Sequence, residues 1–230
     1  MNKRGLMIST FVFFVFALAA NVCGPITTAS KITELKPDLS KLVKGDGWQV
    51  SNRTASLIDV GTKKGVRFDE RRDVGTAWLK DYKFKNGVIE FDVKGRNVLQ
   101  KSFLGVAFHA LDETTYDLIY FRPFNFKSDD PKRRGHSVQY IAAPTYSWQK
   151  LRAESPGKYE QPVQPVPDPD GWFHARIVIA SPKISVFVNN AKQPCLVVEK
   201  LNDRKEGLLG FWIGPDSNAD FANLRIIPAK

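Results

Sequence analysis

The 230-residue sequence is 43% hydrophobic and 25% charged, a length and composition that suit one domain with one apolar core. Its two cysteines are too few for a disulfide framework, so the core must hold the fold. The formal net charge of +10 favours acidic partners. The basic clusters are short and interleaved with acids, however, and no zinc-finger spacing, basic helix or aromatic RNA-binding motif accompanies them. We therefore expect a basic, solvated surface and no nucleic-acid partner.

The N-terminus has the three parts of a secretory signal. Lys3 and Arg4 supply a positive charge, and a largely apolar run extends from Leu6 to Ala20. Small residues that suit cleavage end at Ala20 and again at Ala29. This pattern predicts export from the cytoplasm.

Cleavage at the later site predicts a signal peptide at residues 1–29 and one domain at residues 30–230, located in a periplasm or secreted. Two alternatives keep the protein attached to a membrane. One is a membrane anchor, although about 15 apolar residues fall short of the roughly 20 that cross a bilayer core. The other is lipid attachment at Cys23, which the larger Val22 before it disfavours. Cleavage at the earlier site would leave Cys23 able to pair with Cys195.

A short helix is the first element predicted after the signal, over Ile32–Val43, and Pro37 interrupts it. Helical periodicity is otherwise nearly absent, whereas strand-like alternation runs through the rest of the chain. Many short strands without alternating helices predict an all-β, antiparallel two-sheet sandwich.

The clearest strand is Val88–Val93, where three apolar side chains alternate with two carboxylates after an Asn86-Gly87 turn. The other predicted strands are Ser56–Val60, Val66–Asp69, Thr76–Leu79, Phe103–Ala110, Tyr116–Phe121, Ser137–Ala142, Ala175–Ala180, Ile184–Asn189, Leu196–Val198, Leu208–Ile213 and Phe221–Ile227.

Two segments interrupt the regular spacing of strands. Arg122–Arg134 is a charged connector that contains two phenylalanines, and Ala143–Gly171 contains six prolines beside Tyr146, Trp148 and Tyr159. Proline removes ladder donors, so the second segment is not expected to be sheet. Its aromatic residues favour an ordered loop, and loops of this length in compact domains are usually functional or disordered.

Two pairs of segments near the C-terminus have a distinctive pattern. Gly171–Ile179 is followed by Ile184–Asn189, and Gly207–Gly214 is followed by Asp220–Ile226. Together with the strand at Gly87–Val93, these segments resemble the concanavalin A-like jelly rolls, and most closely the laminin-G-like and 3-keto-disaccharide hydrolase-like members. The resemblance implies the jelly-roll fold, but this fold hosts lectins, glycosidases and adhesion modules alike.

Glu90 is the first catalytic candidate, because Glu90 and Asp92 match part of the Glu-x-Asp-x-x-Glu strand of laminarinase-type glucanases on this fold. Gly95 occupies the position of the last glutamate, the general acid, so the motif is incomplete. Hydrolysis by the common mechanisms needs a pair of carboxyl groups, one on each side of the glycosidic bond. The two acids are alternatively ordinary outward positions of an amphipathic strand.

His109 and Asp117 are the other catalytic candidates. Alternation places His109 on the same face as the small residues Gly105 and Ala107, which leave room for a ligand, and Asp117 follows on the next strand. A histidine beside a carboxylate suits general base catalysis. Alternation also places Asp117 and Tyr120 on opposite faces. Metal-ligand spacings are absent from the sequence, so we expect neither a metal nor a cofactor.

The candidate ligand-binding residues are Arg122, Tyr146, Trp148 and Arg152. Aromatic rings can stack on the C–H face of a sugar, and arginine can hydrogen-bond its hydroxyls or a uronate carboxylate. The rings can alternatively pack the loop onto the sandwich. The leading hypothesis is an exported carbohydrate-binding domain with no stable membrane insertion once the signal is removed. The alternatives are a glycoside-cleaving enzyme and a laminin-G-like adhesion module.

Overall fold

The computed structural model of the protein describes residues 34–229 and the terminal Met1. The predicted signal peptide, apart from Met1, and the first residues of the predicted helix lie outside this part of the chain. Within it, no helix combines the length and the apolar character needed to cross a membrane.

Fourteen strands and four short helices make up the described part of the chain. In chain order they are α1 (Leu39–Val43), β1 (Trp48–Ser51), β2 (Ala55–Val60), β3 (Lys63–Arg71), β4 (Gly75–Leu79), β5 (Gly87–Lys94), β6 (Leu104–Ala110), β7 (Asp117–Phe121), α2 (Pro123–Phe126), α3 (Pro131–Arg134), β8 (Val138–Ala142), α4 (Trp148–Glu154), β9 (Glu160–Gln161), β10 (Trp172–Ala180), β11 (Lys183–Val188), β12 (Leu196–Glu199), β13 (Leu208–Ile213) and β14 (Ser217–Pro228).

The strands form two antiparallel sheets of seven, which confirms the predicted all-β sandwich. The front sheet has the order β1-β4-β13-β6-β7-β8-β9, and the back sheet has the order β12-β11-β10-β5-β14-β3-β2. Consecutive strands pair in both sheets, but other neighbours are distant in sequence, as when β13 inserts between β4 and β6. The sheets therefore depend on long-range pairing.

The core between the sheets is rich in aromatic side chains. Phe211 of the front sheet stacks on Phe221 of the back sheet, with ring centroids 4.1 Å apart. Phe68 and Phe91 of the back sheet approach Phe211 edge-on at 6.2 and 6.4 Å, and Trp48 stacks on it at 5.8 Å. Offset and edge-on arrangements add to the gain from burying these rings. Phe211 thus joins strands from both sheets.

Two short strands and three short helices were not predicted, and the predicted helix is shorter. Helices α2 and α3 lie in the charged connector. Strand β1 has four residues and is fixed by pairing with β4, while β9 lies inside the proline-rich segment that was predicted not to form sheet. Helix α4 lies in the same segment and begins where Ser147 caps the amide of Lys150. Helix α1 begins only after Pro37, with Asp38 as its cap. Long-range pairing and capping, not local periodicity, determine these elements.

Replacing Phe211 with alanine is expected to lower the free energy of unfolding by about 3–5 kcal/mol, because the substitution leaves a cavity where four rings meet. Urea unfolding followed by tryptophan fluorescence measures the change. The control is Val197→Ala, on the edge strand β12, where the side chain is exposed and the loss should stay within about 0.5 kcal/mol. Similar losses for both variants would contradict the central role of Phe211.

Candidate functional site

A cavity of about 630 Å³ lies on the outward face of the front sheet. Its floor comes from the strands β7, β8 and β13, which contribute Tyr120, Ile141 and Trp212. The helices α2, α3 and α4 contribute part of its walls. These helices belong to the two segments that interrupt the spacing of strands, so the unusual loops and the sheet form one concave site of a size typical for small ligands.

The floor of the cavity is aromatic. Tyr120 and Trp212 lie side by side on neighbouring parts of the sheet, with ring centroids 5.3 Å apart. Phe103, which precedes β6, packs at 6.4 Å from Tyr120 and edge-on at 5.3 Å from Phe124 of α2. Tyr120, Trp212 and Phe103 belong to a second apolar cluster, on the opposite side of the front sheet from the main core. Phe124 lines the cavity beside this cluster. The cavity therefore offers flat apolar surfaces to a ligand.

Arg122 is buried at the end of β7 and links the floor to the walls. Its guanidinium lies 4.6 Å from the centre of the Tyr120 ring and donates to the Tyr120 hydroxyl and to Gln139 Oε1. Its Nη1 donates to the backbone carbonyl of His136 at 2.8 Å. Burial raises the pKa of Tyr120 to about 12, so its hydroxyl stays protonated even at alkaline pH. Hydrogen bonds and ring contact together fix Arg122 in place.

Glu160 fixes the proline-rich segment against the sheet. Strand β9 pairs with β8 so that Glu160 is opposite Gln139, and its carboxylate is almost fully buried. Arg152 of α4 binds this carboxylate through two hydrogen bonds of 2.9 and 2.7 Å. Arg122 lies 3.7 Å from it and the Nδ1 of His136 lies 2.8 Å from it. Bidentate pairing of this kind is directional and holds α4 beside the cavity.

Three of the four predicted ligand-binding residues meet in the cavity. Trp148 lines it with 41% of its surface exposed, and the guanidinium of Arg152 lies 4.9 Å from the centre of its indole ring. Arg122 and Arg152 line it as well. Tyr146 is half-buried and packs against the main core, and it is not among the residues that line the cavity.

Several other lining residues were not singled out from the sequence. Trp212 occupies an outward position of β13. An aromatic residue at an outward strand position could have been identified from the sequence as a candidate ligand-binding residue. Phe103 lies just outside β6. Asn125 and Arg133 lie in the charged connector, whose composition pointed to a functional loop without identifying these two residues. Only the fold of the connector brings them to the cavity.

His109 does not lie on the predicted face. The pairing of β6 with β13 slips by one residue near this position, and His109 has a φ of +48°. The bulge turns the imidazole away from the side of Ala107 and into the interior, where it stacks on Phe84 at 6.0 Å and packs edge-on against Phe108 at 5.0 Å. The expectation that His109 shares an open face with Gly105 is therefore wrong.

His109 and Asp117 do come together, but in a fully buried polar cluster. His109 Nδ1 lies 3.6 Å from Asp117 Oδ2, and Lys200 Nζ donates to Nδ1 at 2.8 Å. The other ring nitrogen, Nε2, bonds the backbone carbonyl of Lys85. Since both nitrogens of His109 are engaged, its ring has no free lone pair with which to accept a proton from a ligand.

Asp117 is held as a carboxylate by its neighbours. Tyr140 Oη and Asn202 Nδ2 each donate to Oδ1 at 2.6 Å, and Arg204 Nη2 lies 3.3 Å from Oδ2. Burial acts to raise the pKa of Asp117, but the hydrogen bond from Tyr140 and the charges of Arg204 and Lys200 outweigh it and keep the pKa below its usual value. The geometry is that of a structural ion cluster.

Glu90 lies on the outward face of the back sheet, on the opposite side of the sandwich from the cavity. Its carboxylate accepts from Arg225 Nη1 at 2.8 Å, and Arg225 also bonds Glu34. Asp92 is on the same face and binds Lys63 Nζ at 2.7 Å. The structure therefore separates Glu90 from the pair of His109 and Asp117.

Asp92 has three hydrogen-bonding partners. Besides Lys63, its carboxylate bonds Asn223 Nδ2 at 2.5 Å and lies 3.1 Å from His174 Nδ1. Burial acts to raise the pKa of Asp92, but the hydrogen bonds from His174, Lys63 and Asn223 lower it to about 2. These contacts occupy the carboxylate within the sheet surface. Among residues 34–229, no group of three His, Cys, Asp or Glu side chains is placed to hold a metal ion.

Solved structures with little sequence similarity share this architecture. The carbohydrate binding module CBM66 from Bacillus subtilis matches with a TM-score of 0.53 at 12% identity, over 78% of this chain and 95% of that chain. A protein of unknown function with a galectin-like fold from Bacillus subtilis matches with a TM-score of 0.54 at 12% identity, over 81% and 90%. The exoplasmic/lumenal domain of VIP36, in its Ca²⁺/Man3GlcNAc-bound form, matches with a TM-score of 0.53 at 10% identity, over 80% and 85%.

No protein-family model matches the sequence, and no curated protein is significantly similar to it. At such low identities the structural matches establish the fold alone. The fold is the concanavalin A-like jelly roll, as predicted.

Replacing Asp117 with asparagine is expected to lower the free energy of unfolding by about 3–5 kcal/mol, because Lys200 and Arg204 lose their buried counter-charge. Chemical unfolding at pH 7 measures the loss. Asp129→Asn, at an exposed position, serves as control and should change stability by at most about 0.5 kcal/mol. A loss at position 117 no larger than in the control would rule out a structural ion cluster.

The low pKa of Asp92 predicts a pH dependence of stability. Its folded-state pKa of about 2 lies below the ordinary 3.8, so its contribution is complete above about pH 4 and disappears as the pH falls through 2. The stability difference between the parent and Asp92→Asn should thus shrink by roughly 2 kcal/mol between pH 5 and pH 2. Urea unfolding across this range measures it, with Asp59→Asn, at an exposed position of β2, as control. A difference independent of pH would refute the prediction.

Proposed function

We propose that the protein is an exported carbohydrate-binding jelly roll whose site is the cavity on the front sheet, beneath the segments Arg122–Arg134 and Ala143–Gly171. The observation that carries this proposal is the combination of an aromatic floor with walls that contain three guanidinium groups. Export rests on the charged and apolar N-terminal segment of the sequence.

The chemistry of the cavity suits a sugar. A pyranose ring has a face of C–H groups that packs on an aromatic ring, and its edge carries hydroxyls that hydrogen-bond polar groups. Trp148 and Trp212 supply ring surfaces, while Arg152 and Asn125 supply hydrogen-bonding groups in the same cavity. A carbohydrate binding module and the Man3GlcNAc-bound exoplasmic/lumenal domain of VIP36 are among the structures with this fold, which is consistent with the proposal.

Binding is favoured over cleavage by the positions of the carboxylates. Glycoside hydrolysis by the common mechanisms needs two carboxyl groups flanking the scissile bond. Among the described residues that line the cavity, none is Asp or Glu. Glu90 lies on the back sheet, and Asp117 is buried with His109 behind the front sheet. The enzyme hypothesis therefore has no carboxylate pair to build on in this cavity.

The cavity also favours a glycan over a laminin-G-like adhesion partner. An adhesion module is expected to present a contiguous exposed apolar patch without a pocket. Here the aromatic side chains of the front sheet lie within a concave site, and charged side chains surround them. A concave, mixed surface suits a small polar ligand.

Trp148→Ala is expected to weaken glycan binding at least tenfold, since an exposed aromatic wall of a site contributes about 1.4 kcal/mol or more. Affinity electrophoresis through gels that contain neutral or acidic polysaccharides measures retention. The matched control is Trp172→Ala, which removes a half-buried indole from the outward face of the back sheet. Retention that is unchanged in Trp148→Ala, or absent in the parent on every polysaccharide, would count against the proposal.

A further inference from the structure

The charges around the cavity are unbalanced. Arg122, Arg133 and Arg152 line it, whereas no lining residue among those described is acidic. The buried carboxylate of Glu160 contacts Arg122 and Arg152, so three guanidinium groups face one carboxylate and two positive charges remain in excess. Burial acts to lower the pKa of His136, so this lining residue adds little positive charge at neutral pH. A site with this excess attracts a negatively charged ligand.

The three arginines differ in how fully their donors are used. Arg122 donates to Tyr120, Gln139 and the His136 carbonyl, and Arg152 binds Glu160 in a bidentate pair. Arg133 makes one long hydrogen bond, from Nη2 to the carbonyl of Phe124 at 3.4 Å. Its Nε is buried and has no hydrogen-bond partner among the described residues. Arg133 is thus the cation of the site with the most donors to spare.

An unused acceptor lies beside this donor. Asn125 lines the cavity and is only 4% exposed, and its Nδ2 donates to the carbonyl of His136 at 3.2 Å. That hydrogen bond fixes which way the amide is oriented. Its Oδ1 is buried without a partner in the described part of the chain. A buried acceptor in this state costs stability unless a ligand or water donates to it.

Arg133 and Asn125 are neighbours in the fold. The carbonyl that Arg133 contacts belongs to Phe124, the residue next to Asn125, and the amide of His136 donates to the Arg133 carbonyl at 3.0 Å. A ligand that satisfies both side chains must carry an anionic oxygen and a hydroxyl close together. Inorganic sulfate or chloride lacks the hydroxyl that Asn125 needs, and a neutral sugar leaves the positive charges uncompensated.

We propose that the cavity binds an acidic sugar residue, one that bears a carboxylate or a sulfate, with the charged group on Arg133 and an adjacent hydroxyl donating to Asn125 Oδ1. This inference rests on the proposed carbohydrate-binding function and defines its ligand class. Both anionic groups match the planar fork of arginine, which binds paired oxygens through parallel hydrogen bonds.

Two pairs of polymers with matched backbones test the inference and distinguish the two anionic groups. The first pair is polygalacturonate and its fully methyl-esterified form, and the second is a sulfated galactan and the same galactan after desulfation. Binding is measured as retention in affinity gels and by calorimetry at 0.15 M salt. We expect tight binding to one charged member and at least a tenfold loss when its charge is removed.

Non-specific attraction needs its own control, because a chain with a net charge of +10 binds any polyanion to some extent. Arg133→Gln and Lys132→Gln each remove one positive charge from α3, and Lys132 is exposed and does not line the cavity. We expect at least a tenfold loss for Arg133→Gln and at most a twofold loss for Lys132→Gln. Arg133→Lys, which keeps the charge and loses the fork, should give an intermediate loss. Thermal melting of each variant confirms that it is folded.

Three outcomes would overturn the inference. Equal binding to the charged and uncharged members of each pair would refute it and leave the carbohydrate-binding function standing. Equal losses for Arg133→Gln and Lys132→Gln would show general attraction to polyanions. Failure to bind either charged polymer while a neutral glycan is retained would also refute it, whereas failure to bind any glycan would remove the proposed function with it.

Discussion

The buried carboxylate of Glu160 connects the parts of the protein on which the cavity depends. It lies on the shortest strand of the front sheet, and its partners come from α4, from the end of β7 and from the residues just before β8. A buried carboxylate is stable only when its charge is matched and its lone pairs are used. Arg152 and Arg122 supply the charge, and in doing so they are fixed at the cavity wall. One requirement of the buried charge therefore determines both the path of the proline-rich segment and the position of two candidate ligand-binding groups.

The two outward faces of the sandwich carry different kinds of side chain. On the back sheet, carboxylates and cations neutralise each other across neighbouring strands, as in the bidentate pair of Arg67 with Asp220 at 2.7 Å. On the front sheet, aromatic rings replace most of those pairs, and the loops enclose them with arginines in excess. Charges that are already paired on a sheet surface have few hydrogen-bonding groups left for a ligand. A concave aromatic floor with unused donors beside it can bind one. This asymmetry locates the candidate site on the front sheet.

The bulge at His109 shows how a single residue changes the chemistry that a strand presents. Without it, the imidazole would have faced the cavity side of the front sheet beside Ala107. With it, the ring enters the interior and completes the ion cluster of Asp117, Lys200 and Arg204. A histidine next to an aspartate resembles a general base, but the ammonium of Lys200 and the carbonyl of Lys85 already occupy its nitrogens. The pair contributes to folding and does not face a ligand.

Local patterns in the sequence were sufficient for much of this protein. Alternation of apolar and polar residues predicted twelve of the strands, since the period of two depends only on the neighbours along the chain. It also predicted correctly that Asp117 and Tyr120 point to opposite faces, and the proline-rich composition marked the segment that covers the site. Other features depend on contacts between segments that are distant in sequence, and the sequence did not predict them. They are the strands β1 and β9, the bulge at His109 and the approach of Arg133 to Asn125. Each of these depends on which strand or loop lies alongside, and that is decided only when the two sheets close over a common core.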